Sequence, residues 1–367
     1  MSGSKYAEIG SEFWISEVDE RTDSLIAFDP SELGFAGDSR LLLSGRTAID
    51  WICSDIQAIS KRSKVYMPAY CCDSMIYPFI NRGFSLEFYD MELNGNRVQY
   101  LLEEKEFDIF YLNNYFGFPN TIDGRYLLDL KNKGVTIIYD CTHSLLMSDD
   151  LCKELADYTF ASIRKWSEVA TGAIVSKKNG CFQNKTVLDC PYADSKIDGM
   201  KLKGEYIHGN HSVEKSAFFE KFGIFNESLS ENYQNYSIDR DSFKILCNFD
   251  FARMRQKRNE NSRFLYDSLK NLGYVFPFGN PEDCSPLFLP IFFSLKEERD
   301  SVRSILIKNN IYCPVHWPKH KYVTLDMKAN EIYDRELSLI CDQRYGLDEM
   351  EQIVEILKIY RQNEYSI

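Results

Sequence analysis

The sequence predicts an α/β protein built on a mostly parallel sheet. From Gly45 onward, short segments rich in Val, Ile, Tyr and Phe alternate with segments whose apolar residues recur at helical spacing. Helices between strands form crossover connections, which place the strands parallel in one sheet. The alternation loosens after about Ile207 and resumes near the carboxyl end. We therefore expect an N-terminal segment (1–40), a large α/β domain (41–245) and a smaller C-terminal α/β domain (246–367).

The large domain is predicted from apolar periodicity and from the turn residues between segments. Its expected elements are a helix (TAIDWICSDIQAIS), a strand (KVYM), a helix (CCDSMIYPFINRG), a strand (FSLEFYD), a helical patch near Leu101, a strand (FDIFYLNN), a helix (YLLDLKNKG) and the strands VTIIYD, DYTFAS and TGAIVS. A polar region rich in Asn and Ser is expected to follow. The later elements are a helix (ARMRQKRNENSRFLYDSLKNLG), a strand (PLFLPIFFSL), a helix (EERDSVRSILIKNN), a strand (IYCPV) and a closing helix (LDEMEQIVEILKIYRQ).

Composition excludes several classes of partner. The chain of 367 residues has 55 acidic and 43 basic side chains and a net charge of -12, so neither nucleic acid nor an anionic membrane is the expected partner. Its eleven cysteines are scattered without a CxxC pair, which is typical of a reduced protein. The opening residues lack a signal-peptide pattern, and no apolar run reaches the ~20 residues of a membrane helix. We expect a cytoplasmic protein.

Ligands of open parallel sheets bind beyond the carboxyl ends of the strands, so polar residues at those ends are the candidate site residues. The turn Ser44-Gly45-Arg46-Thr47 leads directly into the first helix. Free N–H groups and the helix dipole make such a turn a phosphate cradle, to which Thr47 adds a hydroxyl. The same residues are also typical of a plain helix cap, because any Ser-Gly turn can cap a helix. Taken alone, this turn leaves both interpretations open.

Three further strand ends carry polar groups. Asp140 follows VTIIY and is suited to bind a protonated ring nitrogen, and His143 lies three residues later. An Asp that caps a helix and a His in a turn are also ordinary structural features. Lys165 follows YTFA beside Trp166, where desolvation would favour a Schiff-base amine, although most lysines are solvated surface charges. Asn114 follows FDIFYL and decides nothing by itself. Together, a phosphate cradle, a carboxylate and a lysine are what pyridoxal phosphate requires.

The succession SGRTAI, PAYCCD, NNYFGFP, DCTHS and SIRKW…TGAIV resembles the nucleotide-sugar aminotransferases of the DegT/DnrJ/StrS type. The resemblance runs from about Gly10 to the closing helix. It implies the aspartate-aminotransferase-like fold type I, pyridoxal 5'-phosphate as cofactor and a homodimer with shared active sites. It also implies transfer of an amino group from an amino acid, usually glutamate, to a keto sugar on a nucleoside diphosphate, for surface polysaccharide or glycoside biosynthesis.

The resemblance also implies roles for individual residues. Lys165 would hold the cofactor's aldehyde, Asp140 would pair with its pyridine nitrogen, and His143 would lie near its ring hydroxyl. The other cofactor-binding positions are of three kinds: residues that would bind the phosphate, two alternatives for the residue that stacks on the ring, and a position that is often His in the family. They are Gly45, Arg46, Thr47 and Ser162 for the phosphate, Tyr70 or Cys72 for the ring, and Asn114 for the last site.

Two departures mark a divergent branch. Ser162 and Lys165 are three residues apart, whereas the family has five steps between the serine and the lysine. The family's Asn-x-Arg element is not clear in this sequence, and the nearest candidate is SIDRDS, with Arg240 and Ser242. A sugar dehydratase on the same fold, which would carry His in place of the lysine, and a non-catalytic binding module are the alternative functions. For the diphosphate, the sequence offers Lys201, Lys203 and Arg344 as basic side chains.

A zinc site is a further alternative. Cys313, His316 and His320 have thiol and imidazole spacing that suits zinc, and His208 with His211 would add ligands. Pro314 and Pro318 break any helix that would align the histidines, so we expect no metal there.

Overall fold

The computed structural model describes residues 6–15, 28–95, 97–147, 151–210, 212–282 and 284–364. The strands are β1 (Ile9–Gly10), β2 (Asp38–Leu42), β3 (Lys64–Pro68), β4 (Ser85–Asn94), β5 (Arg97–Leu101), β6 (Ile109–Asn113), β7 (Thr136–Asp140), β8 (Tyr158–Ala161), β9 (Ala173–Lys177), β10 (Leu289–Phe292), β11 (Ile311–Tyr312) and β12 (Glu336–Leu339). The helices are α1 (Gly45–Ile59), α2 (Asp73–Asn81), α3 (Gly124–Asn132), α4 (Leu151–Leu155), α5 (Ala193–Ile207), α6 (Lys215–Glu231), α7 (Arg240–Leu246), α8 (Phe251–Leu269), α9 (Lys296–Lys308), α10 (Ala329–Arg335) and α11 (Leu347–Glu364).

The large domain is organised around an eight-stranded sheet with the order β2-β9-β8-β7-β6-β3-β4-β5. Strands β4, β3, β6, β7 and β8 are mutually parallel, whereas β9 runs antiparallel to β8 and β5 antiparallel to β4. The predicted α/β class with a mostly parallel, mixed sheet is confirmed. Because the central strands are parallel, their carboxyl ends lie at one edge and bring together loops distant in sequence.

Alternation along each central strand divides the apolar side chains between two cores. In β3, Val65 and Met67 pack with Trp51 of α1, whereas Tyr66 between them packs into the core on the opposite face. Burial of both faces explains why these strands read as continuous apolar runs in the sequence. In β7 the residue that completes the run is Asp140, which is only 1% exposed.

One sequence prediction about local structure is wrong, and in another region helices were not predicted. The patch near Leu101 is strand β5, because Val98 is buried against the core and Gly95, with a φ of 60°, turns the chain back from β4. The polar region after Ile207 contains helices α6 and α7, whose buried residues include Phe218, Phe222 and Phe225. Widely spaced aromatic residues bury one face of α6 even though the rest of it is polar.

The C-terminal unit has an antiparallel pair, β10 with β12, against which α8 and α9 pack. Strand β1 of the N-terminal segment runs parallel to β11, so the beginning of the chain is attached to this unit. Among the described residues, none of the helices is both long and apolar enough to cross a membrane. The boundary at 245/246 stays a prediction.

Candidate active site

Asp140 is a buried carboxylate at the carboxyl end of β7. Its Oδ1 accepts the backbone N–H of Thr142 at 2.8 Å, and its Oδ2 accepts the hydroxyl of Tyr111 at 2.8 Å. Burial raises the pKa of Asp140, against the opposing effects of these hydrogen bonds and of the positive charge of Lys165. The site therefore holds an acid group whose ionised form would be stabilised by a further cation.

Lys165 lies in a single 3₁₀ turn, Ile163–Lys165, directly after β8. Thr142 ties this turn to the end of β7, since its Oγ1 accepts the N–H of Ser162 at 3.1 Å and its carbonyl accepts Nε1 of Trp166 at 2.6 Å. The charge of Lys165 acts on both Asp140 and His143. Two segments predicted separately from the sequence thus meet at one place.

The turn that carries Lys165 is held from the C-terminal unit. Arg258 of α8 is fully buried and lies over the ring of Trp166, with its guanidinium carbon 4.6 Å from the ring centroid. Its Nη2 donates to the Trp166 carbonyl at 3.1 Å, and Nε2 of Gln343 donates to the same oxygen at 2.7 Å. Arg258 could not be identified from local sequence, because its partners lie far away along the chain.

His143 is completely buried, and its two ring nitrogens have different environments. Nδ1 accepts the backbone N–H of Phe116 at 3.2 Å, which places the proton of the neutral ring on Nε2. Nε2 is buried without a hydrogen-bond partner. Burial lowers the pKa of His143 well below its usual value, and the charge of Lys165 acts in the same direction. The ring is therefore a neutral donor with no acceptor from the protein.

His316 and Trp317 lie beside His143, although sequence analysis considered His316 only as a zinc ligand. The ring centroids of both residues are 5.5 Å from that of His143. Ser338 donates its hydroxyl to Glu336, so it accepts from Nδ1 of His316 at 2.8 Å. The site thus contains two imidazole rings side by side, of which that of His143 has an unpartnered Nε2.

The predicted phosphate turn does cap α1. Oγ of Ser44 accepts the N–H of Thr47 at 3.3 Å and lies 3.0 Å from Oγ1 of Thr47. A Cβ added to Gly45 would lie 3.3 Å from Cβ of Ser162, so the turn lies against the loop that leads to Lys165. The Arg46 side chain is directed away, since its Nη1 donates to the Leu229 carbonyl of α6 at 3.0 Å. Capping and proximity to Ser162 therefore coexist in this turn.

Asn114 supplies a second unpartnered polar group. It is 1% exposed, and neither its amide nitrogen nor its amide oxygen has a hydrogen-bond partner. The loop that follows passes close to the segment carrying His143, because a Cβ on Gly117, where φ is 84°, would lie 2.7 Å from the His143 carbonyl oxygen. Only glycine fits this position. The loop thus brings Asn114 and Phe116, whose N–H donates to Nδ1 of His143, to the same strand edge.

Tyr70 and Cys72, the two alternatives for the ring-stacking position, lie in different surroundings. Tyr70 is fully buried, packs against Trp317 and donates its hydroxyl to the His316 carbonyl. Cys72 is partly buried at the start of α2, and its charge would contribute to the raised pKa of Tyr111, the tyrosine that binds Asp140. The choice between the two stays a prediction.

The histidines considered for zinc contact other groups. His320 Nε2 lies 2.8 Å from the Ala69 carbonyl, and His316 Nδ1 is bonded to Ser338. Within residues 6–15, 28–95, 97–147, 151–210, 212–282 and 284–364, three or more His, Cys, Asp or Glu side chains do not come together in a way that could hold a metal ion. His211 lies outside the described residues.

No family model matches the chain, and no curated protein matches it. Solved structures do match it over most of its length. Spr1654 from Streptococcus pneumoniae, described as a sugar aminotransferase and solved in its PMP form, is 14% identical with a TM-score of 0.64 over 90% of this chain and 88% of that one. PseC of Helicobacter pylori, an aminotransferase involved in the biosynthesis of pseudoaminic acid, is 14% identical with a TM-score of 0.61 over 89% and 88%.

DesI, solved in the presence of its TDP-sugar product, is 12% identical with a TM-score of 0.62 over 90% of this chain and 83% of that one. At such low identity, these likenesses establish the fold. The aspartate-aminotransferase-like fold expected from the sequence resemblance is confirmed.

Proposed function

We propose that this protein is a pyridoxal-phosphate-dependent aminotransferase that transfers an amino group from an amino acid to a keto sugar. The observation that carries the proposal is the placement of Asp140 and Lys165 at neighbouring strand ends. A carboxylate that is 1% exposed and has a raised pKa lies within the electrostatic reach of one lysine at the neighbouring strand end. A protonated pyridine nitrogen would supply the cation that this carboxylate lacks.

The surrounding groups suit the rest of the cofactor. The start of α1 and the Ser162 loop, which lie against each other at Gly45, would receive the phosphate. The unpartnered Nε2–H of His143 would donate to the ring hydroxyl, and the unpartnered amide of Asn114 would bind beside it. Buried polar groups without partners are costly, so their clustering here supports a ligand at this place.

Each residue of the site has a definable task in aminotransfer. When bound, pyridoxal phosphate supplies an electron sink for the electrons of a broken C–H bond. Asp140 holds the ring nitrogen protonated, with Tyr111 fixing the carboxylate. Nζ of Lys165 removes the proton from the donor's α-carbon, and in the second half-reaction it protonates the sugar carbon that receives the amine.

The finer assignments rest on the resemblance and on the structural neighbours. We propose glutamate as donor and a keto sugar carried on a nucleoside diphosphate as acceptor, since DesI was solved with a TDP-sugar product. We also propose a cytoplasmic homodimer with shared sites that serves surface polysaccharide or glycoside biosynthesis. Arg240 is exposed and available to a second subunit, whereas Ser242 is buried and accepts the N–H groups of Ala170 and Thr171 at 3.0 and 3.1 Å.

Visible absorbance tests the proposal. Wild-type protein given pyridoxal phosphate should become yellow, and glutamate should bleach it. Lys165→Ala should stay colourless and inactive, while Lys185→Ala, which changes an exposed lysine, should behave as wild type. Colour that persists with every amino donor would favour a dehydratase or another reaction. A wild-type protein that never binds the cofactor would favour the non-catalytic module.

A further inference from the structure

The basic side chains that the sequence offered for a diphosphate are already engaged or lie outside the site. Lys203 is fully buried and pairs with Oε1 of Glu8 at 3.2 Å, and its burial lowers its pKa to about 8. Arg344 makes two bonds to Asp342, at 2.9 and 2.8 Å. Lys201 is exposed on α5. These three side chains are therefore poor candidates for binding a substrate anion beside Lys165.

A different set of cations lies next to Lys165. Lys196 of α5 is 3% exposed, and its Nζ lies 4.0 Å from the centroid of the Phe222 ring. Arg164, the residue before Lys165, lies with Lys196 over the ring of Phe225, each 5.9 Å from its centroid. Nε of Arg164 is buried without a hydrogen-bond partner. Both cations are thus held against aromatic rings and are not fully satisfied by polar partners.

Positive charge exceeds negative charge in this cluster. Glu12 is the carboxylate whose charge favours the protonated forms of Arg164 and Lys196, and its Oε2 lies 3.0 Å from Nζ of Lys196. Arg46 adds a third positive charge that acts on Arg164, and its Nε is also buried without a partner. Burial lowers the pKa values of both Arg164 and Lys196, which is the expected cost of desolvated cations.

Glu12 lies at the boundary between this cluster and the space around Lys165. A cavity of about 520 Å³ is lined by Glu12, Arg164 and Lys165 together with His316 and Trp317. The Glu12 side chain is 48% exposed, so it can leave the cluster at little steric cost. A substrate that enters this cavity would therefore meet Lys165 and Arg164 in one space, with Lys196 reached through displacement of Glu12.

We propose that Arg164 and Lys196, with Arg46 beside them, form an anion subsite that Glu12 occupies in the free protein and that the diphosphate of the sugar substrate takes by displacing it. The assignment rests on the proposed function for the identity of the substrate. Arg and Lys bind phosphate oxygens through charge-assisted hydrogen bonds. Once Glu12 has left, the three cations carry three positive charges, which match a diphosphate better than a single carboxylate.

Binding of inorganic pyrophosphate to the cofactor-loaded protein, measured by calorimetry, tests the subsite. Glu12→Gln should bind pyrophosphate about fivefold more tightly than wild type, because a like charge no longer competes. Lys196→Met and Arg164→Met should each weaken binding about tenfold. Lys221→Met, which changes a partly exposed lysine of α6 that pairs with Asp198, should leave it unchanged. The gain in Glu12→Gln cannot result from misfolding.

Three results would overturn the inference. Unchanged affinity in Glu12→Gln, equal affinity of wild type for pyrophosphate and glutarate, or tight binding that survives both cation substitutions would each exclude a diphosphate subsite here. The proposed function fails separately, through absence of the visible absorbance of bound cofactor in wild type. In that case the same comparison of variants, made with the cofactor-free protein, still decides whether the anion site exists.

Discussion

The hydroxyl of Tyr111 donates to Oδ2 of Asp140 across 2.8 Å, so adjacent strands β6 and β7 present one tyrosine–carboxylate pair at the strand edge. Tyr111 is fully buried, and its pKa is raised well above the usual value by burial and by the charge of Asp140. The phenol therefore stays protonated and acts as a permanent donor. This relationship fixes where the negative charge of the site lies before any ligand arrives.

Substitutions at this pair should separate charge from positioning. Asp140→Asn should retain the cofactor but slow removal of the donor's α-proton about 10²- to 10⁴-fold, because the ring nitrogen is no longer held protonated. Tyr111→Phe should slow it far less, since it removes one hydrogen bond of about 1 kcal/mol and leaves the charge in place. Single-turnover bleaching with glutamate measures both rates. Near-normal rates in Asp140→Asn would show that the carboxylate is misassigned.

The neutral state of His143 should be visible in the pH dependence of stability. The folded protein has a His143 pKa well below the usual value, whereas the unfolded chain has about 6.5. Between these two pKa values His143 is protonated in the unfolded chain and neutral in the folded protein. The contribution of His143 to the free energy of unfolding is therefore lost as the pH falls below about 6.5. Urea unfolding of the cofactor-free protein from pH 7.5 to 5 should show wild type losing stability relative to His143→Gln.

His208→Gln, which changes an exposed histidine, provides the matched control. It should follow wild type across the same range of pH. A constant difference in the free energy of unfolding between wild type and His143→Gln would mean that His143 titrates alike in both states.

Arg258 should couple the C-terminal unit to the position of Lys165. Arg258→Lys loses the planar contact with Trp166 and hydrogen bonds to the carbonyls of Trp166 and Leu287. This loss should lower the free energy of unfolding by about 2–4 kcal/mol. The visible absorbance of bound cofactor should shift or weaken at a temperature where the variant is still folded. Arg253→Lys, on the exposed face of α8, should change neither property. Full stability with unaltered absorbance in Arg258→Lys would contradict this coupling.

The sequence was sufficient for features that depend on neighbouring residues. Asp140 is the last residue of an apolar strand and Lys165 lies in the turn that follows the next one, so local pattern alone placed them at the sheet edge. The prediction of a helix near Leu101 failed because a turn at Gly95 converts a short polar-apolar alternation into an edge strand. Helix α6 was missed because its buried aromatic residues are diluted by polar ones.

Features that depend on distant pairs were not predictable. Lys203 looked available until folding placed Glu8 beside it, 195 positions earlier in the chain. The rings of His143 and His316 form hydrogen bonds with the Phe116 N–H and with Ser338, neither of which is a sequence neighbour. Trp317 likewise reaches the site only because the C-terminal unit packs against the large sheet.

The most direct test of the central claim is chemical fixation of the cofactor. The protein is loaded with pyridoxal phosphate, reduced with borohydride, digested and analysed by mass spectrometry. We expect one pyridoxyl-modified peptide, carrying the label on Lys165, and none from protein that was reduced after exposure to excess glutamate. A label on another lysine, or no label on a protein that binds the cofactor, would contradict the pairing of Lys165 with Asp140 on which the proposed function depends.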